Sequence, residues 1–248
     1  MKIPFLLFLL LLQPCSLILA QGKSPSHSLF NKLLAKNVSS DGRVNYKGFA
    51  KDSLEFNQYL KILTSNPPNE KTWTREEQMA YWVNAYNAFT IKLITRYYPL
   101  KSIKDIGSSI QIPFVNTPWD MKFIVIGKEK MDLNNIEHGI LRKKFNDPRI
   151  HMVLVCASKS CPVLLNEAYD PRRLDEQLTK QTKIFLEDAK RNKVAADQAQ
   201  LSMIFKWYAM DFDKNGNSVR SFINSYSTKK INSETEISYL DYDWNLNE

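Results

Sequence analysis

Residues 74–99 read TREEQMAYWVNAYNAFTIKLITRYYP and predict the clearest helix of the chain. Thr74, followed three residues later by Glu77, forms a capping box in which a hydroxyl and a carboxylate satisfy backbone N–H groups at the helix start. Pro99 cannot continue a helix and marks its end. We expect this long helix to lie across the core of the protein.

Shorter helices and scattered strands surround this segment. Helical spacing and capping residues predict helices over residues 28–37, 53–63, 132–145, 170–190 and 218–226. Apolar runs predict strands over residues 122–126, 150–155 and 237–242, and residues 201–208 fit either type. Because helices outnumber the scattered strands, the sequence predicts an α+β fold, a single domain with helices packed on a small, mainly antiparallel sheet.

The N-terminus has the pattern of a secretory signal. Lys2 gives a positive start, an apolar run follows, and Ala20 precedes a cleavage site before Gln21. We expect a cleavable signal peptide over residues 1–20, a mature globular domain over residues 21–248, and a periplasmic or secreted location. A membrane anchor fits less well because polar residues interrupt the run before the ~20 apolar residues that a span needs. Lipid modification of Cys15 is the other alternative.

The charge of the chain bears on its partners. The formal net charge is +8, from 34 Lys and Arg against 26 Asp and Glu, and these residues are spread along the chain without a dense basic run. This distribution argues against nucleic acid as a partner and fits a solvated basic surface that could be attracted to anionic cell-surface polymers. After signal cleavage, no apolar run is long enough to span a membrane.

Two of the three cysteines survive signal cleavage, and both lie in one short segment, residues 156–161, which reads CASKSC. We expect a buried strand to deliver Cys156 into a polar loop and Pro162 to open a short helix, so that Cys161 would be its N-cap. A thiol at a helix N-terminus and near Lys159 has a lowered pKa, as a nucleophile requires. Cys161 is therefore the candidate catalytic residue.

A thiolate catalyst needs a proton acceptor, and the mature chain offers His27, His138 and His151. A strand over residues 150–155 would separate His151 from Cys156 by ~16 Å, and His27 lies at the start of the chain. His138, inside a predicted helix, is thus the best base. Asn84, Asn87 or Glu137 would orient its ring, and either asparagine could instead hold the oxyanion, in a Cys-His-Asn arrangement that suggests papain by analogy.

These residues predict a thiol-dependent hydrolase or acyltransferase acting on a peptide or a cell-envelope polymer. The alternative is a non-enzymatic envelope-binding module in which Cys156 and Cys161 form a disulfide that shapes a ligand loop. A third hypothesis, thiol–disulfide exchange, is weakened because the spacing C-x-x-x-x-C is wider than that of a C-x-x-C redox pair. Both asparagines could also simply bind backbone and fix loops.

Two further motifs favour structural readings. Asp211, Asp213, Asn215 and Gly216 match the opening of a calcium loop, but Phe222 stands where the loop needs a bidentate glutamate, so a plain turn is favoured. The sequence predicts no metal and no cofactor. Residues 37–39, Asn-Val-Ser, form a glycosylation sequon by pattern only.

The chain resembles a known family in several long strings of residues. These are YWVNAYNA at 81–88, YP at 98–99, SI at 102–103, PW at 118–119, IEH at 136–138, ILR at 140–142, DPRIH at 147–151, CASKSCP at 156–162 and YDWNLN at 242–247. In this set the chain resembles the family called domain of unknown function 547. The resemblance implies one domain from about residue 28 to the C-terminus, and it carries over no activity.

Overall fold

The computed structural model describes residues 23–107 and 117–248 of the chain. The predicted signal peptide over residues 1–20 lies outside the described residues. Within the part of the chain that the structure describes, no helix is both long enough and apolar enough to cross a membrane.

The longest helix, α4 (Arg75–Tyr97), confirms the clearest prediction from the sequence. The Thr74 hydroxyl accepts from the Glu77 N–H at 3.1 Å, and the Glu77 carboxylate accepts from the Thr74 N–H at 2.8 Å. Every residue from Gln78 to Ile91 is buried. A helix that is buried on all sides lies within the core rather than on its surface, as predicted.

Three N-terminal helices pack around α4. They are α1 (Ser28–Asn37), α2 (Tyr46–Lys51) and α3 (Ser53–Ser65). Phe30 of α1 stacks on Tyr59 of α3 with ring centroids 4.6 Å apart, and both rings are buried. Since aromatic pairs bury large apolar areas, this contact joins the first helix to the core.

The remaining helical segments lie after α4. A π-helical segment, Asn135–Leu141, continues into α5 (Arg142–Phe145), and the later helices are α6 (Leu174–Glu187), α7 (Met203–Trp207), α8 (Ala209–Phe212) and α9 (Val219–Tyr226). Short 3-10 turns occur at Ile103–Asp105, Pro118–Asp120, Pro148–Met152, Pro171–Arg173 and Lys214–Gly216. The late helices enclose a second group of buried apolar side chains that includes Phe205 and Phe212.

The strands in the described residues form two small sheets. β1 (Ile124–Ile126) and β2 (Glu129–Met131) make an antiparallel hairpin, while β3 (Lys193–Val194), β4 (Gln198–Leu201) and β5 (Glu236–Tyr239) lie in the order β3-β4-β5. β3 pairs with β4 antiparallel, and β4 pairs with β5 parallel. The α+β class predicted from the sequence is therefore confirmed.

Two local predictions are wrong. Residues 150–155 do not form a strand: Pro148–Met152 is a 3-10 turn, which begins where the Asp147 carboxylate accepts from the Arg149 N–H. A buried apolar run fits either conformation, and here Asp-Pro favours a helical first turn. No helix follows Cys161, because the next helical turn begins at Pro171. Cys161 is thus not a helix N-cap.

His27, the residue before α1, is buried with its Nδ1 atom 2.8 Å from the Tyr59 hydroxyl. Burial lowers the pKa of His27 from 6.5 to about 4, and the nearby Asp170 opposes this shift only in part. Between these two pH values the unfolded chain binds a proton that the folded protein does not bind. The free energy of unfolding must therefore decrease as the pH falls through this window.

We predict that His27→Gln removes this pH dependence. The wild-type protein should lose roughly 3 kcal/mol more of its unfolding free energy than the variant as the pH falls from 6.5 to 4, because a pKa unit corresponds to about 1.4 kcal/mol. Urea unfolding of both proteins at several pH values measures this difference. Groups other than residue 27 titrate alike in the two proteins, so their contributions cancel. Parallel curves for the two proteins would contradict the prediction.

Candidate functional site

Cys156 and Cys161 form a disulfide that closes residues 156–161, which we call the cysteine loop. The Cα atoms of Cys156 and Cys161 are 6.2 Å apart. Cys161 is buried, with an exposed fraction of 2%, whereas Cys156 is only partly buried. This is the disulfide that the sequence left as one of its alternatives.

The cysteine loop is held by the end of the chain, residues 242–247, which we call the C-terminal strap. The Lys159 N–H donates to the Asn245 carbonyl at 2.8 Å, and the Ser160 N–H donates to the Asp243 carbonyl at 3.2 Å. Ser158 and Leu246 are paired by a β-bridge. Because these bonds join backbone to backbone, they hold the loop independently of the disulfide.

Tyr242 brings a side chain of the strap to the disulfide. Its hydroxyl donates to Cys161 Sγ at 3.2 Å, lies 3.3 Å from Cys156 Sγ, and accepts from Ser158 Oγ at 3.1 Å. Burial raises the pKa of Tyr242, and the Ser158 hydrogen bond opposes this shift only in part, so the phenol stays protonated at neutral pH. The phenol is therefore a permanent hydrogen-bond donor toward the sulfur atoms.

The predicted base, His138, has a different set of neighbours. Its ring is 42% exposed, and its Nδ1 atom accepts from Arg142 at 2.9 Å and lies 4.0 Å from the Glu137 carboxylate. The Tyr208 ring lies 6.3 Å away between centroids. Cys161 has its described side-chain contacts with Cys156 and Tyr242 instead. The described contacts therefore do not bring His138 and Cys161 together.

Asn84 and Asn87 bind backbone rather than an imidazole. The Asn84 amide donates to the Tyr169 carbonyl and accepts from the Tyr169 N–H, both at 2.9 Å. The Asn87 amide donates to the Val153 carbonyl at 2.9 Å and accepts from the Val155 N–H at 3.0 Å. The Asn87 bonds fix the segment that leads directly into Cys156, so this side chain positions the cysteine loop through the main chain.

His151, predicted from the sequence to be a poor partner for Cys156, lies in a buried polar cluster. Its Nε2 atom lies 2.9 Å from the Asp211 carboxylate, and its ring stacks on Tyr208 with centroids 3.9 Å apart. Burial lowers the pKa of His151 more than the Asp211 hydrogen bond raises it. Burial alone would raise the pKa of Asp211, yet hydrogen bonds from His151, Arg142 and Lys214 outweigh this effect and hold that pKa far below its usual range. Asp211 is therefore ionised.

Glu137 is a second buried carboxylate beside this cluster, with a side chain that is 8% exposed. Burial is the first cause of the raised pKa values of Tyr86 and Tyr208, and the nearby Glu137 charge raises both further. Trp119 also interacts with the Tyr86 hydroxyl and opposes part of the rise in its pKa.

Four aromatic rings form a continuous, partly exposed surface beside the cysteine loop, which we call the aromatic face: Trp119, Trp207, Tyr242 and Trp244. Trp244 lies at its centre, with ring centroids 4.6 Å from Tyr242, 5.8 Å from Trp119 and 5.9 Å from Trp207. Trp207 is 46% exposed, and the other three rings are partly buried. The Lys104 ammonium lies 3.9 Å from the centroid of the Trp244 ring.

Neither of the two other motifs forms a site in the described residues. Asp211 pairs with Arg142, His151 and Lys214 rather than facing an open position, and no group of three or more His, Cys, Asp or Glu in residues 23–107 and 117–248 could hold a metal ion. The sequon residue Asn37 is buried and donates to the Asp52 carboxylate. A glycan has no access to this side chain in the folded protein.

Sequence reasoning missed the aromatic face and the partners of His151. Trp207 and Tyr208 lie in a segment that fitted either secondary structure, and Asp211 was considered only as a calcium ligand. A local signal was present, since residues 206–212 read KWYAMDF and place aromatic rings beside a carboxylate. Because Tyr242 and Trp244 are distant from this segment in sequence, only the fold reveals that they share one surface with it.

A comparison with protein families gives one match. The family described as "Protein of unknown function, DUF547" matches residues 70–186, a segment that contains α4, the Glu137 segment and the cysteine loop. The C-terminal strap and Trp207 follow the matched segment. No curated protein and no solved structure matches the chain.

We predict that Asn87→Ala destabilises the protein by about 2–4 kcal/mol, because it leaves a buried carbonyl and a buried N–H group without partners. Asn57, which accepts from Lys92 on the exposed surface, offers a matched control. Asn57→Ala should change the free energy of unfolding by less than about 0.5 kcal/mol. Denaturant unfolding of both variants tests the pair, and equal effects would show that Asn87 does not fix the segment before the cysteine loop.

Proposed function

Because the chain carries a domain of the DUF547 family, whose description assigns no activity, we propose its function from the site itself: an exported module that binds a β-linked polysaccharide of the cell envelope. The aromatic face is the observation that carries the proposal. It joins three indole rings and a phenol into one partly exposed surface.

A surface of this kind suits a sugar ring. A pyranose whose substituents are all equatorial presents flat C–H faces and a rim of hydroxyl groups. The C–H faces stack on aromatic rings, and burying both surfaces removes apolar area from water. The aromatic residues lose little conformational freedom on binding because they already contact one another, which lowers the entropic cost of association.

The rim of the aromatic face carries both donors and acceptors. Lys104 lies over Trp244, while Asp241, Asp243 and Asn245 of the adjoining chain are exposed. Sugar hydroxyls donate and accept hydrogen bonds, so a rim of mixed sign matches an uncharged glycan. A polyanion would meet the carboxylates on either side of Tyr242 and would be repelled by them.

The disulfide supports both the exported location and the binding surface in this proposal. Disulfides persist in oxidising compartments, which agrees with the signal-like N-terminus. The closed cysteine loop also pairs with the strap that carries Tyr242 and Trp244, so it supports two of the four rings. This is the binding-module alternative that the sequence left open, with a surface and a class of ligand added.

The geometry supports the thiol hydrolase less well. Attack by Cys161 requires a free thiolate, and proton transfer requires a base within hydrogen-bond reach. Cys161 is bonded to Cys156, and the described side-chain contacts of His138 are with Arg142, Glu137 and Tyr208.

We predict that Trp207→Ala and Trp244→Ala each weaken glycan binding by about thirtyfold or more, because an aromatic anchor at the centre of a binding surface contributes at least about 2 kcal/mol. The probes are soluble β-1,4-linked oligosaccharides of glucose and of N-acetylglucosamine, titrated against the oxidised mature protein by calorimetry and tryptophan fluorescence. Leu54→Ala is the control, since Leu54 is exposed on α3 outside the aromatic face. This variant should bind like the wild type.

Salt separates this proposal from binding to a polyanion. Stacking on an uncharged sugar should change little between low and high salt, whereas a polyanion attracted by the net positive charge should dissociate as salt rises. An acidic polysaccharide and a single-stranded oligonucleotide are the comparison ligands. Salt-sensitive binding of either one, with no binding of the oligosaccharides, would overturn the proposal.

A further inference from the structure

The two sulfur atoms of the disulfide differ in access. Cys156 is partly exposed, whereas Cys161 has an exposed fraction of only 2%. Thiol–disulfide exchange requires an incoming thiolate to reach one sulfur atom in line with the bond that breaks. The difference in burial directs attack to Cys156 and makes Cys161 the leaving group.

The hydrogen bonds around the pair favour the same direction. Cys161 Sγ accepts from the Cys156 N–H at 2.9 Å and from the Tyr242 hydroxyl at 3.2 Å. Ser158 donates to the Tyr242 oxygen, which leaves the phenol hydrogen for the sulfur atoms. Two donors in place would stabilise a negative charge on Cys161, and a more stable thiolate leaves faster.

Positive charge at the loop adds to this effect. Arg191 donates from Nε to the Cys161 carbonyl and from Nη2 to the Lys159 carbonyl, and its guanidinium is paired with Asp188. Lys159 itself is exposed on the same loop. The Arg191 charge is bound to the main chain of Cys161 and favours a thiolate on that residue, although Asp188 offsets part of its contribution.

From these observations we propose that the Cys156–Cys161 disulfide is an exchange-active redox pair that accepts electrons from an external dithiol. In the first step, a thiolate of the dithiol attacks Cys156 Sγ, the Cys156–Cys161 bond breaks, and Cys161 leaves as a thiolate. The second thiolate of the donor then attacks its own sulfur in the mixed disulfide. This step releases Cys156 as a thiolate and the donor as a disulfide, so that two electrons pass to the protein.

The backbone of the loop is suited to this cycle. The bonds from Lys159 to Asn245 and from Ser160 to Asp243 do not involve sulfur, and they keep the loop on the strap when the disulfide opens. The spacing C-x-x-x-x-C therefore does not prevent exchange, because the strap rather than a helix positions the pair. The proposal does not depend on the ligand of the aromatic face.

Single-cysteine variants test which sulfur is attacked. The full mature protein carrying Cys161→Ala, incubated with glutathione disulfide, should form a mixed disulfide at Cys156, detected by peptide mass spectrometry after acid quenching. The Cys156→Ala protein should leave the buried Cys161 unmodified until it is unfolded. Adducts on Cys161 in the folded protein, or equal rates at the two sulfur atoms, would overturn the assignment.

If a cysteine variant does not fold, the wild-type protein and two tyrosine variants still test the redox proposal. Dithiothreitol should reduce the disulfide in the folded wild-type protein, and Tyr242→Phe should slow this reduction by about tenfold or more, because a hydrogen bond to a charged group is lost. Tyr239→Phe, which removes a hydroxyl from β5 outside the loop, should reduce at the wild-type rate. A disulfide that resists dithiothreitol until the protein unfolds would refute the proposal, whatever the result of the glycan titrations on the oxidised protein.

Discussion

The need to satisfy polar groups on a fully buried helix organises this structure. α4 has no solvent-facing side along most of its length, so each buried amide side chain on it needs a partner inside the protein. Asn84 and Asn87 use both ends of their amides on the backbone of segments that are far away in sequence. The helix thereby fixes two segments that lack regular secondary structure. One of them ends at Val155, immediately before Cys156. The position of the cysteine loop is thus a consequence of how the core satisfies its hydrogen bonds.

The opposite side of the cysteine loop depends on the end of the chain. Backbone bonds from the loop to the strap set the position of Tyr242 and Trp244, and Trp207 of α7 completes the surface by packing against both rings. The aromatic face therefore combines residues from the loop after α4, from α7 and from the last residues of the chain. If the strap lost its order, the aromatic face would lose the Tyr242 and Trp244 rings, and Cys161 would lose the hydrogen bond from Tyr242. The strap therefore couples the aromatic face to the disulfide.

The sequence predicted those features that local chemistry determines. The capping box at Thr74 and the α+β class follow from short patterns, and the structure agrees with them. The prediction of a strand over residues 150–155 was wrong, because a fully buried apolar run has no periodicity that distinguishes a strand from a 3-10 turn. Without that strand, an extended chain no longer separates His151 from Cys156. The candidate site was harder to predict, because Tyr208, Asp211 and Tyr242 join it through contacts that no local pattern encodes.

The buried charges beneath the aromatic face explain how the surface keeps its shape. Trp119 interacts with Tyr86, and the Glu137 charge acts on both Tyr86 and Tyr208. Tyr208 stacks on the His151 ring, which lies at hydrogen-bond distance from Asp211. Such a network stabilises one arrangement only if its members are satisfied, since a buried carboxylate without partners is expensive. Asp211 meets this condition through the cations Arg142 and Lys214 and the hydrogen bond from the His151 ring, and Glu137 lies beside two phenols and His138. The polar cluster therefore supports the rings above it, and a surface prepared in this way would bind the proposed sugar ligand with little reorganisation.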